Sequence, residues 1–406
     1  MRYRVDSSWQ RFGRVVLAGS PLHLFRLSAA GESFVKRLES GGDVDASRLT
    51  DRLNNAGAIH PLPSGAGRFT LDDVTVVTPQ FGGVTHDDDR LTVDDGSIPP
   101  LTGAAVRLKT NRGPAAARNA ARPSIATPLV AFVDADVSMP DPDWLSALLW
   151  HFDDPQVGLV APRVRGESGS PLDLGDEPAR VRAGTRVSYV PGAAVVVRVA
   201  AFDQVGGFDE GLRFGEDVDF VWRLDDAGWR CHYDPAVGVW HEPRTSWRER
   251  LRQHAGYGSS AAPLALRHPG ALSPVHMNGW TAATWALALL GRWIPAIALG
   301  AGSSAALVRK LPDVPPRASM RLAARGHVLA GRQLASAARR VWWPILAAAA
   351  VLSRRGRWWL LLALVANPRA APTDVAYGWG VWTGMRRSRS RSPLLPRLTA
   401  WPGRQR

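Results

Sequence analysis

Asp134 and Asp136 stand two residues apart at the end of the apolar run Leu129-Val130-Ala131-Phe132-Val133, in the stretch AFVDADVS. The run reads as a buried strand, and successive strand residues point to opposite faces, so the two carboxylates share one face. Like charges at such a place repel each other and resist burial. A hard divalent cation, Mg²⁺ or Mn²⁺, removes that cost, because it takes oxygen ligands, keeps several waters and accepts the oxygens of a diphosphate. Alone, so short a motif as D-x-D reads first as a solvated strand end or an N-cap for the segment that begins near Pro140.

Three further groups share this pattern of acids placed at element ends. VDDGS puts Asp94 at a strand terminus before a tight glycine turn, where it could accept a hydrogen bond from a base N–H or a ribose hydroxyl. In GGFDEGLRFGEDVDFVWRL, Glu216 and Asp217 follow a glycine and open a segment with Val218, Val221, Trp222 and Leu224 on its apolar face. A carboxylate at a helix N-terminus is favoured in its ionised form, whether it caps the helix or does chemistry. In VGVWHEP, His241 closes an apolar strand-like run as a candidate third metal ligand or a plain surface histidine.

The elements that must position these groups form an α/β pattern from residue 71 to 245. VTVVTP, LTVDDGS, AVRLKT, PLVAFVDADV and VGLVAPRV read as strands, several of them ending in a polar or glycine turn. GPAAARNAAR reads as a helix with Pro114 in its first turn, and DPDWLSALLWHF as one with Trp144, Leu145, Leu148 and Leu149 on its buried face. Ligands of such sheets bind at the carboxyl edge of the strands. Ahead of this domain, residues 1–62 alternate strand, helix, helix, strand. Phe34, Val35, Leu38, Leu49, Leu53 and Ile59 form the apolar faces of a small winged-helix-like module, and Pro61–Thr70 is the linker.

The chain has 406 residues, with Lys+Arg 50 against Asp+Glu 36. After Glu249 the only acids are Asp313 and Asp374, so the basic excess lies in residues 246–385 and the tail 386–406. Trp280–Leu307 is apolar but holds Arg292 and Pro295, and SRRGR splits VWWPILAAAAVL from WWLLLALVA. No run reaches the roughly 20 apolar residues of a spanning helix. Trp beside Arg suits an anionic membrane surface, and no nucleic acid is expected. The tail from 386 reads as basic and disordered. The N-terminus has no apolar signal segment, which places the expected active face on the cytoplasmic side of the membrane, integral or peripheral. The single cysteine, Cys231, excludes an intrachain disulfide.

The order strand–Pro79, VDDGS, NRGPAAARN, VDAD, GFDE…GED, then histidine resembles the family-2 glycosyltransferases of the GT-A fold. RVRAGTRVSYVPGAAVVVR, GAIHP and the Trp/Arg-rich C-terminus are most similar to the mycofactocin-system branch. The resemblance implies a Rossmann-like, mostly parallel sheet, and inverting transfer from a UDP-sugar, UDP-glucose in that system, to a premycofactocin acceptor, extended as a β-glucan. Asp94, Pro79 and Gln80 would face the uridine, and Gly113, Arg118 and Asn119 would line the donor pocket. Asp134 and Asp136 would hold the cation, with His241 as a further ligand. Asp217 would be the general base, with Glu216 beside it.

The residues 1–62 would take a leader peptide or pathway protein by edge-strand pairing, or serve packing alone. QFGGVTHDDDRLTV and IPPLTGAA are too short for the crossover helices that join parallel neighbours, which leaves the strand order at that edge open. A weakened homologue acting as a scaffold, and a winged-helix regulator fused to a sugar-nucleotide sensor, are the competing readings.

Overall fold

The computed structural model describes residues 1–63, 65, 67–83, 90–166, 170, 172–241, 246–365, 367 and 370–399. The chain forms two compact units, Met1–Pro243 and Arg244–Arg406.

The first unit opens with β1 (Tyr3–Val5), β2 (Gln10–Phe12), β3 (Val15–Ala18), β4 (His23–Arg26), α1 (Ala29–Glu39), α2 (Arg48–Asn55) and β5 (Ile59–Pro61). Ser28 and Ser47 start the helices by accepting the backbone N–H of Gly31 and of Thr50. β1 pairs antiparallel with β5, and β2-β3-β4 form a separate antiparallel sheet. The expected strand, helix, helix, strand order is present, with the three-stranded sheet ahead of the helices. Val16, Phe25, Phe34, Val35, Leu38, Leu53 and Ile59 make a core of their own.

Arginine joins this module to the sheet that follows it. Arg230 is nearly buried and bonds Asp51 and Asn55 of α2 and also Asp154, at 2.7, 2.9 and 2.7 Å. Arg186 reaches Asp6, which is itself buried against His60 at 2.9 Å.

The large sheet of this unit is built from β6 (Val74–Gln80), β7 (Leu91–Asp94), β8 (Val106–Arg107), β9 (Leu129–Val133), β10 (Val137–Ser138), β11 (Val157–Arg165), β12 (Ala179–Arg180), β13 (Ala194–Arg198) and β14 (Arg230–His241). Their order is β10-β14-β11-β13-β9-β6-β7-β8, with β12 also on β14. The sheet is mixed, not mostly parallel. β6, β7, β8 and β9 run parallel to their neighbours among themselves, as do β11 and β14. β13 is antiparallel to both β9 and β11, and β10 and β12 are antiparallel to β14. Strands buried on both faces are apolar in either direction, so the sequence pattern does not report direction.

The short crossovers leave the strand order intact. β6-β7-β8 lie side by side and parallel, and no helix occurs among the described residues of 81–90 or in 95–105. The acidic stretch 86–89 lies outside the described residues. One helix, α3 (Pro114–Ala120), packs on both β6 and β7. Its buried residues Ala115, Ala116 and Ala117 carry only methyl groups, which lets the helix approach the strands closely. Trp144, Leu145, Leu148 and Leu149 are buried as expected, but the helix is one turn, α4 (Ser146–Leu149), continued as a 3₁₀ turn, with Trp144 and Leu145 in the turn before it. The other helices of this unit are α5 (Val199–Gln204) and α6 (Glu216–Asp226).

The second unit comprises α7 (Trp247–Ser259), α8 (Ala261–Arg267), β15 (His276–Asn278), α9 (Gly279–Leu289), α10 (Trp293–Lys310), α11 (Pro316–Arg340), α12 (Trp343–Leu352), α13 (Arg354–Val365), α14 (Ala371–Ser388) and β16 (Arg397–Thr399). Among the described residues, no helix is long and apolar enough to cross a membrane. The expected disorder from residue 386 does not hold as far as Thr399. α14 continues to Ser388, and β16 pairs in parallel with β15. Composition missed this because contacts fix the segment: Met385 and Leu394 pack with Ala261, Ala262 and Val341, and the Trp342 indole N–H donates to the Leu394 carbonyl.

Replacing Arg230 with alanine removes the partners of Asp51, Asn55 and Asp154 together and should lower stability by about 1–3 kcal/mol. Arg122→Ala, which breaks the exposed pair with Asp203, should cost no more than about 1 kcal/mol. Urea unfolding of both variants measures the difference.

Candidate functional site

A cavity of about 610 Å³ opens where β6 and β9 end, which is the carboxyl edge of parallel strands. Pro79 and Gln80 enter from β6, followed by Phe81, Gly82 and Gly83, and Asp134, Ala135 and Asp136 enter after β9. Asp95, Asn111, Gly113, Pro114, Ala117 and Arg213 complete the wall.

β9 stops at Val133, and residues 134–137 form a turn closed by the Val137 N–H on the Asp134 carbonyl, 3.1 Å. The shared face expected of a continuing strand is thus supplied by a turn, and both carboxylates still line one cavity. Their surroundings differ. Asp136 lies 3.3 Å from His241 Nε2, because Val137 of β10 is paired with His241 of β14. Asp134 Oδ1 accepts from Arg118 Nη2 at 2.7 Å.

Arg118 lies beneath the cavity with 1% of its surface exposed. It also donates to the Gly192 carbonyl at 3.0 Å and to Glu216 Oε1 at 3.3 Å, and its guanidinium sits over the Phe208 ring at 5.2 Å. α3 presents Pro114 and Ala117 to the cavity, and the next residue of the turn points inward, so Arg118 is a positioning residue and not part of the pocket wall. Asn119 is likewise off the wall. Its side chain bridges the N–H and carbonyl of Phe208 and holds the GFDE loop.

Asp94 is fully buried. Its carboxylate accepts from the backbone of Ser97 and Leu101, so it closes the turn after β7 and does not face the cavity. Asp95 is the aspartate of that pair on the wall, and it receives the N–H groups of Arg112 and Gly113 at 2.7 and 2.8 Å. Gly96 makes the turn possible: at φ +77° a Cβ there would come within 2.4 Å of the Thr110 carbonyl carbon.

Glu216 and Asp217 open α6 after Gly215, as the sequence indicated. Asp217 Oδ1 accepts from the Val218 N–H and Oδ2 from the Gly192 N–H, at 2.8 and 3.1 Å. Neither acid is on the cavity wall, but both surround Arg118 with Asp134, as its raised pKa reflects; burial opposes its charge and these acids outweigh that. Three carboxyl groups around one guanidinium leave a negative excess only as all three ionise. Burial pushes all three acids up, Glu216 to about 7 with Asp217 beside it as the next cause.

Among the described residues, no three acids, histidines or cysteines cluster as a ready metal cage. The Asp136–His241 pair nonetheless fits a cation that draws its remaining ligands from a diphosphate and water. The resemblance gave no sign of Asp95, Gly192 or Arg213. Gly192 was visible only as the glycine of VPGAAV; a Cβ there would stand 3.0 Å from Arg118 Nη2. Arg213, held by Asn111 at 2.8 Å, puts an exposed cation on the wall, suited to an anionic ligand.

The sequence profile described as "Glycosyltransferase like family 2" matches residues 98–256. The pre-mycofactocin glycosyltransferase of Mycobacterium tuberculosis (strain ATCC 25618 / H37Rv) is 36% identical over 449 aligned positions, covering 95% of each chain. The N-acetylglucosaminyl-diphospho-decaprenol L-rhamnosyltransferase of the same strain is 40% identical over 87 residues, 21% of this chain and 28% of that one. A solved mannosyltransferase from Pyrobaculum calidifontis, in complex with GDP-Man and Mn²⁺, aligns with a TM-score of 0.41 at 18% identity, over 76% of this chain and 87% of that one. That likeness is too distant to assign residue roles.

The raised Glu216 pKa has a consequence for stability. The folded chain keeps this proton up to about pH 7, whereas the unfolded chain releases it near the ordinary carboxyl value. Its contribution is therefore complete below that ordinary value and is lost as pH rises toward 7. Without added metal, the thermal midpoint should fall between pH 5 and 8, and Glu216→Gln should flatten the fall. Differential scanning fluorimetry across that range checks it.

Proposed function

The chain belongs to the family-2 glycosyltransferases, and from that premise we propose that it moves glucose from UDP-glucose, with inversion, to a hydroxyl of a peptide-derived, premycofactocin-like acceptor, extending it as a β-linked glucan. The observation that carries this reading is the match to a pre-mycofactocin glycosyltransferase over 95% of both chains. The cavity supports it chemically. It joins a carboxylate–imidazole pair, a cation at Arg213 and the backbone turn held by Asp95, all at the carboxyl edge where a nucleoside diphosphate binds.

Mg²⁺ or Mn²⁺ held by Asp136 and His241, with Asp134 adjoining, would supply neutralisation of the charge that grows on the leaving diphosphate. Arg213, on the wall of the same cavity, adds a positive charge for the diphosphate. Pro79, Gln80 and Phe81 provide the surface for the base, and Gly113 lets the ligand approach the backbone closely. Arg118 fixes Asp134 on one side and Glu216 on the other, so that Glu216 orients the N-terminal turn of α6. Asp217 takes the proton of the acceptor hydroxyl. The acceptor oxygen bonds to the anomeric carbon as the bond to the diphosphate oxygen breaks, and UDP leaves with that electron pair. One base on the face opposite the leaving group gives inversion, from an α-linked donor to a β-linked product. Burial raises the Asp217 pKa, which makes it a stronger base than a free aspartate.

Incubation with UDP-glucose, Mn²⁺ and a dipeptide-like acceptor, followed by mass spectrometry, should show addition of hexose. Asp217→Asn should lower the rate about 100-fold or more while UDP binding persists. Asp136→Ala should weaken Mn²⁺-dependent UDP binding as well. Metal-dependent UDP binding by the wild-type chain with no turnover would replace this reading with a scaffold role.

A further inference from the structure

The second unit carries two helical hairpins with a shared construction: the base is fastened to the helical body, and the tip is apolar, cationic and exposed. In the first, α9 turns into α10 at Leu290–Arg292. Its base is held by the Trp285 indole N–H on the His327 carbonyl and by Ser303 on His327, both to α11. At its tip Leu290, Trp293 and Ile294 stand in the open, Ile294 with 82% of its surface exposed, beside the exposed Arg292.

In the second, α12 turns into α13 at Ser353. Gly356 allows the two helices to touch, since a Cβ there would lie 2.3 Å from the Ala349 carbonyl oxygen. The base is held by the Trp382 indole N–H on the Val341 carbonyl and by Trp342 on Leu394. At the tip Val351 and Leu352 are 80% and 85% exposed, followed by exposed Arg354, Arg357 and Trp358.

Apolar groups projected this way stand exposed among the described residues, and their arginines have few acids to meet. Residues 250–312 and 314–373 contain no aspartate or glutamate, and Asp374 is taken by Arg339 and Arg340. Charge complementarity therefore selects an anionic occupant with an apolar interior. At 1.5 Å per residue, α12 and α13 measure about 15 and 18 Å, half of a bilayer core, so they can enter one leaflet but not cross. Trp and Arg beside the apolar tip match the chemistry of the headgroup boundary.

We propose that the tips 290–294 and 351–358 insert together into one leaflet of an anionic bilayer and hold the protein there as a peripheral enzyme. The proposal rests on the second unit alone and stands apart from the donor and acceptor assigned above.

The test is flotation of the full chain with vesicles of phosphatidylcholine, alone or mixed equally with phosphatidylglycerol. The wild type should float with the mixed vesicles at 0.15 M salt and at least tenfold less with phosphatidylcholine. Ile294→Asp and Leu352→Asp should each reduce flotation about tenfold while circular dichroism stays unchanged. Leu352→Cys bearing an environment-sensitive fluorophore should shift to the blue on the mixed vesicles, whereas Arg122→Cys, on the first unit, should not. Failure of the wild type to float on anionic vesicles overturns the proposal. So does an unshifted fluorophore at position 352, or a wild-type dimer in solution that the tip substitutions dissolve, which would assign the tips to a second copy of the chain.

Discussion

The catalytic half of this protein depends on one buried arginine. Arg118 gathers the carboxylate after β9, the carboxylate that opens α6 and the carbonyl of Gly192 before β13. These points are distant in sequence and belong to three different elements. A buried guanidinium costs much to desolvate and is tolerated only when its donors are used and opposite charge is near. Two of its nitrogens are used, and the Phe208 ring covers its face. The same demand fixes the main chain: Gly192 must lack a side chain for the guanidinium to lie against it, and its N–H then reaches Asp217. Arg118 thus sets the position of Asp217, the proposed general base, through a glycine, without touching it by a direct hydrogen bond.

Around that point the sheet has been reduced as far as its pairing allows. Two crossovers have no helix among their described residues, yet β6, β7 and β8 keep their parallel register. What a covering helix would supply by area, α3 supplies by closeness, through alanines packed on both β6 and β7. The turn of Asp94, Asp95 and Gly96 supplies the rest. Asp94 closes it internally, and Asp95 ties it to the loop that starts α3. Polar groups buried with all their bonds made can rigidify a loop that has little apolar surface. The opposite edge of the unit is stiffened by Arg230, which clamps the N-terminal module.

Much of the site was legible because acids at strand and helix ends carry positional information. Asp134, Asp136, Glu216, Asp217 and His241 were identified from their places at element boundaries, and the structure brings them to one edge of the sheet. Residues whose role depends on facing were not legible. Asp94 and Asp95 are adjacent, and only the turn decides which one meets the cavity. Arg118 and Asn119 lie on a short alanine-rich helix with no apolar stripe to orient it, and their inward aim is set by packing. The direction of β13 was hidden because a doubly buried strand is apolar whichever way it runs. The order of residues 386–399 was hidden because a basic composition argues for disorder unless a few apolar contacts are known.

The two aspartates of the D-x-D stretch, equivalent in sequence, are divided in the structure. Asp134 has one oxygen committed to a buried arginine, so its charge is balanced from below, whereas Asp136 lines the cavity 3.3 Å from His241. A cation arriving with a diphosphate would meet Asp136 on the cavity wall, and Asp134 would stabilise it mainly through its negative field. That field grows with pH, because burial holds Asp134, Asp217 and Glu216 above the usual carboxyl range, Glu216 at about 7, and Arg118 offsets one charge as they ionise. A second buried arginine would cancel it, and without Arg118 burial would hold these acids protonated still further up the pH scale. One arginine against three acids leaves the cavity folded without its ligand and still attractive to a cation when the donor brings one.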